Sequence, residues 1–295
     1  MNKSDIQMRD PFVLPLPEEG RYLLFGSTDV NIWSGPGLGF DCYESRDLED
    51  WSGPIAAFRP PPGFWSNTQF WAPECHPWQG RYYLFASFAR DRRQRGTQIL
   101  AADRPEGPYA VHSDGPVTPR EWECLDGTLH VDAHGKPWMV FCHEWVQVED
   151  GEMCAIPLSD DLRQAAGKPA LLFRASEAAW AKPFEQRGRP NNRVTDGPFL
   201  HRLSDGRLLM LWSTIGYEGY AMGYAVSDSL SASVSVLGPW RQSSQPLYGK
   251  DGGHGMLFRD FDGKLQMTLH HPNQTPHERP VWFEVVEREG ELALK

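Results

Sequence analysis

The chain has 295 residues, of which 40% are hydrophobic and 23% charged, and its formal net charge at pH 7 is −10. This composition is ordinary for a folded protein with a substantial core, and an acidic chain without a basic stripe is not expected to bind nucleic acid. No apolar run approaches the ~18 residues that a membrane-spanning helix needs, so no membrane partner is expected either.

One short pattern recurs along the chain. A Gly-Arg or Gly-Lys step followed by an apolar run begins at Gly20, Gly80, Gly135, Gly206 and Gly263. Glycine in a turn between short apolar runs is typical of a β-hairpin, and the spacing of 60, 55, 71 and 57 residues indicates a propeller or a stacked array. Behind three of the hairpins a third apolar run ends in a polar turn and Gly-Pro, which cannot continue a central strand. The sequence therefore predicts an all-β, five-bladed β-propeller, formed by one domain over residues 1–295.

Two longer irregular segments interrupt this pattern, "FRPPPGFWSNTQ" and "AKPFEQRGRPNNR". Both are predicted to be loops, and loops longer than about 12 residues in a compact domain are usually functional.

The cysteines and the N-terminus bear on the compartment. Five cysteines, an odd number without closely spaced pairs, stand at positions 42, 75, 124, 142 and 154, and we expect them to be buried thiols in a reducing compartment. The first residues contain no apolar signal core, which favours a cytoplasmic protein. A secreted or periplasmic protein with a trimmed N-terminus is the alternative.

Each blade is predicted to open with an acidic residue. These residues, which would surround the mouth of the central channel, are Asp10, Glu74, Asp126, Asp196 and Asp251. Any one of them could simply cap a turn, but a ring of five carboxylates is electrostatically costly. Carboxylates whose pKa values differ suit glycosidic bond cleavage, in which one group donates a proton and another activates water.

Aromatic side chains fit a sugar ligand, because ligand sites are commonly lined by aromatic rings. Five of the 12 tryptophans lie in or next to the strand ends and loops described above: Trp33, Trp65, Trp71, Trp145 and Trp212. Most of the 12 are expected in the core, and two or three are expected to touch the ligand.

The motifs "RDPF", "WAPE", "LDGTLHVDAHGKPWMVF", "TDGPFL" and "GGHG", in this order at blade spacing, resemble the family 43 glycoside hydrolases over nearly the whole chain. These are five-bladed propellers that act mainly on arabinosyl, xylosyl and related sugars. The resemblance implies that Asp10 is the general base and that Asp126 orients the general acid and adjusts its pKa. It also implies that Glu74 hydrogen-bonds substrate.

The general acid departs from the family pattern. The family uses a Glu-Gly-Pro motif, whereas this chain has Asp196 in "TDGPFL". The shorter side chain withdraws the carboxyl by roughly 1.5 Å, and a displacement of about 1 Å can cost about 100-fold in rate. Three readings stay open: Asp196 is the acid in a tighter pocket, Glu144 in "CHEWVQ" is the acid, or the protein only binds sugar.

Histidine and arginine candidates complete the predicted site. The resemblance places His254 near a channel metal, often calcium, and calcium prefers six to eight oxygen ligands; a structural calcium is therefore a weaker expectation, and no cofactor is required. His143 and His271 would donate to sugar hydroxyls, and Arg279 would clamp hydroxyls or a carboxylate. Trp71, Glu144 and Trp212 are also expected to contact substrate. For each, the alternative is an ordinary core or surface role.

The function expected from the sequence is that of an inverting exo-glycosidase. Its substrates would carry arabinofuranosyl, xylosyl or related linkages, including galactofuranosyl, in plant-type or microbial glycans. An inverting site requires the base and the acid to be about 6.5 to 9.5 Å apart. The alternatives are an inactive sugar-binding propeller and a glycoside phosphorylase, which would need basic residues around the pocket.

Overall fold

A computed structural model of the chain describes residues 1–91, 93–227 and 235–295. Five four-stranded antiparallel sheets each consist of consecutive strands in chain order. The first strand of every sheet contacts the first strands of the two neighbouring sheets, and the fifth sheet closes the ring against the first. The predicted five-bladed β-propeller is confirmed.

Blade 1 contains β1 (Arg9–Leu16), β2 (Arg21–Ser27), β3 (Phe40–Ser45) and β4 (Trp51–Phe58), and blade 2 contains β5 (Thr68–Trp78), β6 (Arg81–Arg90), β7 (Arg93–Ala102) and β8 (Ala110–Val111). Blade 3 contains β9 (Cys124–Val131), β10 (Pro137–His143), β11 (Glu152–Pro157) and β12 (Ala170–Arg174). A separate hairpin, β13 (Phe184–Gln186) and β14 (Arg189–Asn192), precedes blade 4, which contains β15 (Asp196–Arg202), β16 (Leu208–Gly216), β17 (Gly219–Ser227) and β18 (Trp240–Gln242). Blade 5 contains β19 (Gly253–Arg259), β20 (Leu265–His271), β21 (Arg279–Arg288) and β22 (Glu291–Leu294). The helical elements are α1 (Trp145–Val148) and two 3-10 turns, Lys3–Asp5 and Ala175–Glu177.

The repeated glycine steps form the turns between the first and second strands of the blades. Each of the five glycines has a φ between 61° and 91°, a conformation that other residues rarely adopt. At four of the five an added Cβ would meet nothing within 4 Å, so the backbone conformation, and not space, calls for glycine.

The core lies between the blades, where apolar side chains of neighbouring sheets interdigitate. Trp212 is fully buried there, with its ring centroid 4.5 Å from that of Trp180 and 5.4 Å from that of Phe173. All five cysteines are buried and free, as the sequence predicts. None of the helices in the described ranges is long and apolar enough to cross a membrane.

The two segments predicted to be loops differ from each other in the structure. "AKPFEQRGRPNNR" is not a loop, since it contains the β13–β14 hairpin, whereas residues 59–67 of "FRPPPGFWSNTQ" are irregular as expected. The polar turn predicted behind β17 falls on residues 228–234, outside the described ranges.

Every first strand carries a bulge at the same place. In each blade one residue pairs with the second-strand residue that stands seven positions after the repeated glycine; these residues, which we call the facing set, are Arg9, Trp71, Leu125, Asp196 and Gly253. The next residue has a φ between 47° and 57° in every blade; these residues, the bulge set, are Asp10, Ala72, Asp126, Gly197 and His254. Such values are uncommon away from glycine and tend to occur at functional sites.

The bulge set is held by the preceding blade. The backbone N–H of Ala72 donates to Ser27 Oγ at 2.8 Å, and that of Asp126 donates to Ser87 Oγ at 2.7 Å. The corresponding bond closes the ring, because the N–H of Asp10 donates to His270 Nδ1 at 3.2 Å. In blade 5 the N–H of His254 donates to Ser213 Oγ at 2.8 Å, and these acceptors all stand seven residues after a repeated glycine.

Blade 4 is the exception to this pattern. Cys142 occupies the acceptor position before it, and the N–H of Gly197 donates instead to Asp126 Oδ2 at 2.9 Å. The five acidic residues are also not equivalent, which corrects the prediction of a ring: only Asp10 and Asp126 belong to the bulge set, and Asp196 belongs to the facing set.

Candidate active site

A cavity of about 840 Å³ lies where the first strands begin, at one end of the central channel. Both the facing set and the bulge set contribute to its wall. In blade 1 the adjacent residues Arg9 and Asp10 both line it, and in blade 3 so do Leu125 and Asp126. Adjacent residues of a regular strand point to opposite faces, so the bulge is what allows one blade to supply two neighbouring side chains.

The structure brings together the three carboxylates predicted to be catalytic. Asp10, Asp126 and Asp196 all line the cavity. His254 Nδ1 lies 3.2 Å from Asp10 Oδ1 and 3.6 Å from Asp126 Oδ2, so these two carboxylates share one imidazole. Asp126 also accepts a hydrogen bond from Gly197, the residue next to Asp196.

Asp10 is a buried carboxylate whose surroundings favour ionisation. Burial raises its pKa, but nearby positive groups outweigh that effect, and the pKa lies below its ordinary value. His254 is the strongest of these groups and Arg9 the next. The hydroxyl of Ser27 donates to Asp10 Oδ2 at 2.6 Å, which also favours the charged form.

Asp126 and Asp196 have the opposite tendency. Burial is the main cause that raises the pKa of Asp126 well above its ordinary value, and the negative charge of Asp10 adds to it. Burial, followed by the charge of Asp126, raises the pKa of Asp196 to about 7. The hydroxyl of Tyr220 donates to Asp196 Oδ2 at 2.9 Å and limits the rise. The cavity therefore holds one carboxyl whose surroundings favour ionisation, Asp10, and two whose surroundings favour the protonated form, Asp126 and Asp196.

Glu144, the alternative acid, also lines the cavity. It forms a buried ion pair with Arg95, which donates in addition to Gln69 Oε1 at 2.6 Å. Burial raises the pKa of Glu144, and Arg95 opposes the change. A carboxylate already committed to a buried guanidinium is less suited to deliver a proton, because protonation would leave the guanidinium without its counter-charge.

Three tryptophans that the sequence singled out line the cavity: Trp33, Trp71 and Trp145. Trp33 and Trp71 pack edge to face with their ring centroids 5.4 Å apart. Each of the three rings also has a guanidinium over it, with Arg9 5.0 Å from Trp33, Arg95 4.6 Å from Trp71 and Arg187 5.8 Å from Trp145. None of these arginines was predicted from the sequence to line the site, although Arg9 stands beside Asp10 in "RDPF".

Two predicted sugar-stacking residues lie elsewhere. Trp212 is wholly within the core and donates to Gln242 Oε1 at 3.0 Å, so the prediction that it contacts substrate is wrong. Trp65 does not line the cavity; its ring packs beside the hydrophobic core of blades 1 and 2, and its indole N–H donates to Gln98.

Four polar candidates are also not part of the cavity wall. Glu74 is buried beside His76, 2.9 Å from its Nε2. Both ring nitrogens of His143 are hydrogen-bonded, and its ring stacks on a tryptophan, which makes it a structural residue. His271 pairs with a tyrosine hydroxyl at 3.2 Å, and Arg279 donates to main-chain carbonyls, among them that of Ser4. The predicted contacts of these four with substrate are not supported by their positions.

The metal prediction rests on His254. Its Nδ1 is occupied by Asp10 and Asp126, and among the described residues no group of three or more His, Cys, Asp or Glu is arranged to hold a metal. A calcium ion, which prefers six to eight oxygen ligands, would depend largely on water here. Structural calcium therefore stays a prediction.

Tyr220 lines the cavity and donates to Asp196, and it was not predicted from the sequence. It reaches the cavity from β17, where it pairs with Ile215 beside the Gly216–Gly219 turn. No motif marks it, and its hydrogen bond to Asp196 depends on how β17 aligns with β16.

A cavity with carboxyls of opposite pKa tendency and a wall of aromatic rings has the groups that glycoside hydrolases use for catalysis. Residues 5–286 match the family model described as glycosyl hydrolases family 43, and the chain belongs to this family. It is therefore an inverting glycoside hydrolase that acts on carbohydrate, and members of the family need no cofactor for catalysis.

Solved structures agree with this assignment. The chain is similar to the endo-arabinase from Bacteroides thetaiotaomicron VPI-5482, with 40% identity, a TM-score of 0.89, and coverage of 99% of this chain and 98% of the other. A thermostable family-43 glycoside hydrolase shares 22% identity over 98% and 93% of the two chains at a TM-score of 0.81. An endo-1,4-β-xylanase from the same Bacteroides strain shares 21% identity over 100% and 96% at 0.74. No curated protein matches the chain significantly.

Proposed function

We propose that the protein is an exo-acting inverting glycosidase that removes α-L-arabinofuranosyl residues, with Asp10 as general base and Asp196 as general acid. The observation that carries the proposal is the opposite ionisation of these two carboxyls within one cavity. Asp10 has a lowered pKa, whereas the pKa of Asp196 is raised to about 7. An inverting enzyme needs this division, since its base must be ionised while its acid holds a proton.

The reaction proceeds by a single displacement. Asp10 removes a proton from water as the water attacks the anomeric carbon from the face opposite the leaving group. At the same time Asp196 transfers its proton to the glycosidic oxygen. The hydrogen bond that Tyr220 donates then stabilises the negative charge left on the Asp196 carboxylate. Burial is the main cause that keeps Asp196 protonated before the reaction, and the neighbouring Asp126 carboxyl adds to it, because ionisation of either group opposes ionisation of the other.

The arabinofuranosyl preference is supported by the 40% identical relative whose name is endo-arabinase. Xylosyl and galactofuranosyl linkages are the next candidates. The cavity volume is within the ~300–1,000 Å³ typical of small-molecule sites, which suits one or a few sugar units.

The exo mode is supported by a wall that crosses three blades. Between β2 and β3, the carbonyl of Ile32 accepts a hydrogen bond from the indole N–H of Trp71. The carbonyl of Trp33 accepts one from the side-chain amide of Gln69, and both donors belong to blade 2. On the other side the indole N–H of Trp33 donates to Thr275 Oγ1 of blade 5 at 3.0 Å. A wall fixed at both ends would close one side of the cavity and hold the terminal sugar.

Endo action is the second candidate, and the name of the same relative favours it. The two modes differ in their first products. An exo-acting enzyme releases monosaccharide from linear oligosaccharides from the first turnover, whereas an endo-acting enzyme releases shorter oligosaccharides.

The test uses a panel of aryl glycosides and then linear arabino-oligosaccharides labelled at the reducing end. We expect α-L-arabinofuranoside cleavage with inversion, observed by NMR of the first-formed anomer, with free arabinose and a labelled chain one unit shorter as the only early products. Early release of labelled oligosaccharides with no free arabinose would contradict the exo mode. Activity on only another glycoside would contradict the sugar, and a dependence on added phosphate would indicate a phosphorylase.

We also propose that residues 1–295 form one domain and that the protein is cytoplasmic. The second proposal is supported by the five buried free thiols, which need no oxidising compartment.

A further inference from the structure

Glu278 is a buried carboxylate with no part in the reaction above. It lies just before β21, and no part of its surface is exposed. Its Oε1 accepts from Arg9 Nη1 at 3.1 Å and from the hydroxyl of Thr275. Its Oε2 has no partner among the described protein groups. Removing a carboxylate from water costs several kcal/mol unless good partners compensate. The position of Glu278 therefore has to be explained by its partners.

Both partners of Glu278 extend to the cavity wall at Trp33. Arg9 lies over the face of the Trp33 ring, 5.0 Å from its centroid. Thr275 Oγ1 accepts the indole N–H of Trp33 at 3.0 Å. The indole is 47% exposed and lines the cavity, yet its face and its edge are each held by a group bonded to Glu278.

Arg9 also acts on the base. The charged and titratable groups that face Asp10 are Arg9 on its own strand, His254 and His270 from blade 5, Asp126 from blade 3 and Tyr220 from blade 4. Arg9 is one of the groups that lower the pKa of Asp10, and Glu278 compensates its charge. On its other side, Glu278 shares a small cavity of about 10 Å³ with Asp29 and Ser27, a volume near that of a single water.

We propose that Glu278 is a positioning residue that links the stacking surface of Trp33 to the charge environment of Asp10. The proposal rests on Asp10 being the general base. Arg9 is the shared element: Glu278 holds it over the indole and limits the positive charge that it directs at the base. Thr275 is the second arm and fixes the indole edge alone.

The main test is the pH dependence of kcat/KM in Glu278→Gln. The amide retains an oxygen acceptor for Arg9 and Thr275 but leaves the guanidinium without its counter-charge. The stronger positive field stabilises ionised Asp10. The acid limb of the kcat/KM profile, which reports ionisation of the base, should therefore move to lower pH by about half a unit to one unit. Glu287→Gln is the matched control, because Glu287 lies on β21, accepts from His201 at 3.0 Å and does not line the cavity; its limb should not move.

A second variant should move the acid limb in the opposite direction, to higher pH. In the doubly neutral Arg9→Gln/Glu278→Gln protein the positive group beside Asp10 is lost, so the acid limb should move above that of the wild type. A role in folding alone predicts no shift, or shifts in the same direction, for the two variants. Removing both members of a buried ion pair is better tolerated than removing one, so this variant decides the matter if Glu278→Gln does not fold.

Thr275→Val separates the two arms. The loss of the hydroxyl frees the indole edge, and we expect KM for an arabino-oligosaccharide to rise about threefold to tenfold while the acid limb stays in place. Thr275→Ser should restore the wild-type KM. A shifted limb in Thr275→Val, or an unmoved limb in the doubly neutral protein, would overturn the proposal.

The failure of this inference can be told apart from failure of the base assignment. If Asp10→Asn retains activity, Asp10 is not the base, the proposal for Glu278 falls with it, and the acid limb reports another group. If Asp10→Asn is inactive while the limbs of the Glu278 variants do not move, the base assignment stands and only the coupling through Glu278 is wrong.

Discussion

Asp196→Asn is the substitution that tests the departure from the family pattern. The amide occupies nearly the same space and can still accept from Tyr220, but it has no proton to donate. Acid catalysis matters most when the leaving group is another sugar, and least when it is a dinitrophenolate that departs without a proton. Loss of the acid should therefore depend strongly on the leaving group.

The magnitude follows from the proton that Asp196 carries. With a pKa of about 7, roughly half of the enzyme is protonated at pH 7 and about a tenth at pH 8, so wild-type kcat/KM on a disaccharide should fall above neutral pH. Proton donation is typically worth about 10² to 10⁴-fold, so Asp196→Asn should lose that factor on the disaccharide and less than about tenfold on the aryl glycoside. For the dinitrophenyl glycoside, whose leaving group needs no proton, the wild-type kcat/KM profile should show no alkaline limb.

Stability provides an internal check that the variant is folded. The pKa of Asp196 is higher in the folded protein than its ordinary value of 3.8, so its ionisation costs folded-state stability as the pH rises from about 4 to about 7. The full difference corresponds to about 4 kcal/mol. Asp196→Asn removes this cost, and it should be more stable than the wild type in urea at pH 8 but not at pH 4.

The assay compares the disaccharide with the dinitrophenyl glycoside in two variants. Glu144→Gln is the control, and it should reduce both activities about equally, as the loss of a binding contact does. If Asp196→Asn reduces both equally and Glu144→Gln shows the leaving-group dependence, the acid is Glu144 and the assignment of Asp196 is wrong.

Three other substitutions test separate parts of the site. Asp10→Asn should lower kcat by at least about 100-fold while sugar binding, measured by calorimetry, survives; substantial residual turnover would exclude Asp10 as base. Tyr220→Phe removes a hydrogen bond that favours ionised Asp196, so the alkaline limb of kcat/KM should move to higher pH, and an unmoved or lowered limb would contradict the assignment of Asp196. Trp33→Ala should raise KM by up to about tenfold with little loss of stability. Trp212→Ala should cost about 3 to 5 kcal/mol in urea unfolding, and the reverse ranking of the two tryptophans would contradict their positions.

The fold could be predicted because its strongest signals are local. A glycine at positive φ followed by an apolar run defines a hairpin without any knowledge of the rest of the chain, and five copies fix the number of blades. The β13–β14 hairpin could not be predicted, because apart from Phe184 its strand residues are charged, polar or proline and present no apolar alternation.

The site could be predicted only in part. Asp10, Asp126 and Asp196 stand in motifs at the starts of first strands, so they could be found from the sequence. Burial of Trp212 could not, because β16 is an almost continuous apolar run that does not distinguish its channel face from its core face. Tyr220 depends on strand alignment, which no local pattern encodes.

The bulges explain why carboxylates at different strand positions meet in one cavity. A regular strand would present either Arg9 or Asp10 to the channel, yet both line it, since a positive φ at Asp10 turns the second side chain inward. The N–H exposed by that turn is bonded by the preceding blade, through His270 for Asp10 and through Ser87 for Asp126. Each carboxylate on a bulge, Asp10 and Asp126, is therefore fixed relative to the neighbouring blade as well as to its own.

Blade 4 follows a different pattern, and the difference concerns Asp196, the proposed acid. Its bulge residue is Gly197, whose N–H bonds to Asp126 itself instead of to a side chain of the second strand before it. Asp196 is thereby attached through one peptide unit to the carboxylate that raises its pKa. A hydroxyl at position 142 could compete for that N–H, whereas the Cys142 thiol is a weak acceptor and leaves it to Asp126. This backbone hydrogen bond, which no sequence motif indicates, holds Asp126 beside the residue next to Asp196, and the Asp126 carboxyl adds to burial in raising the pKa of Asp196.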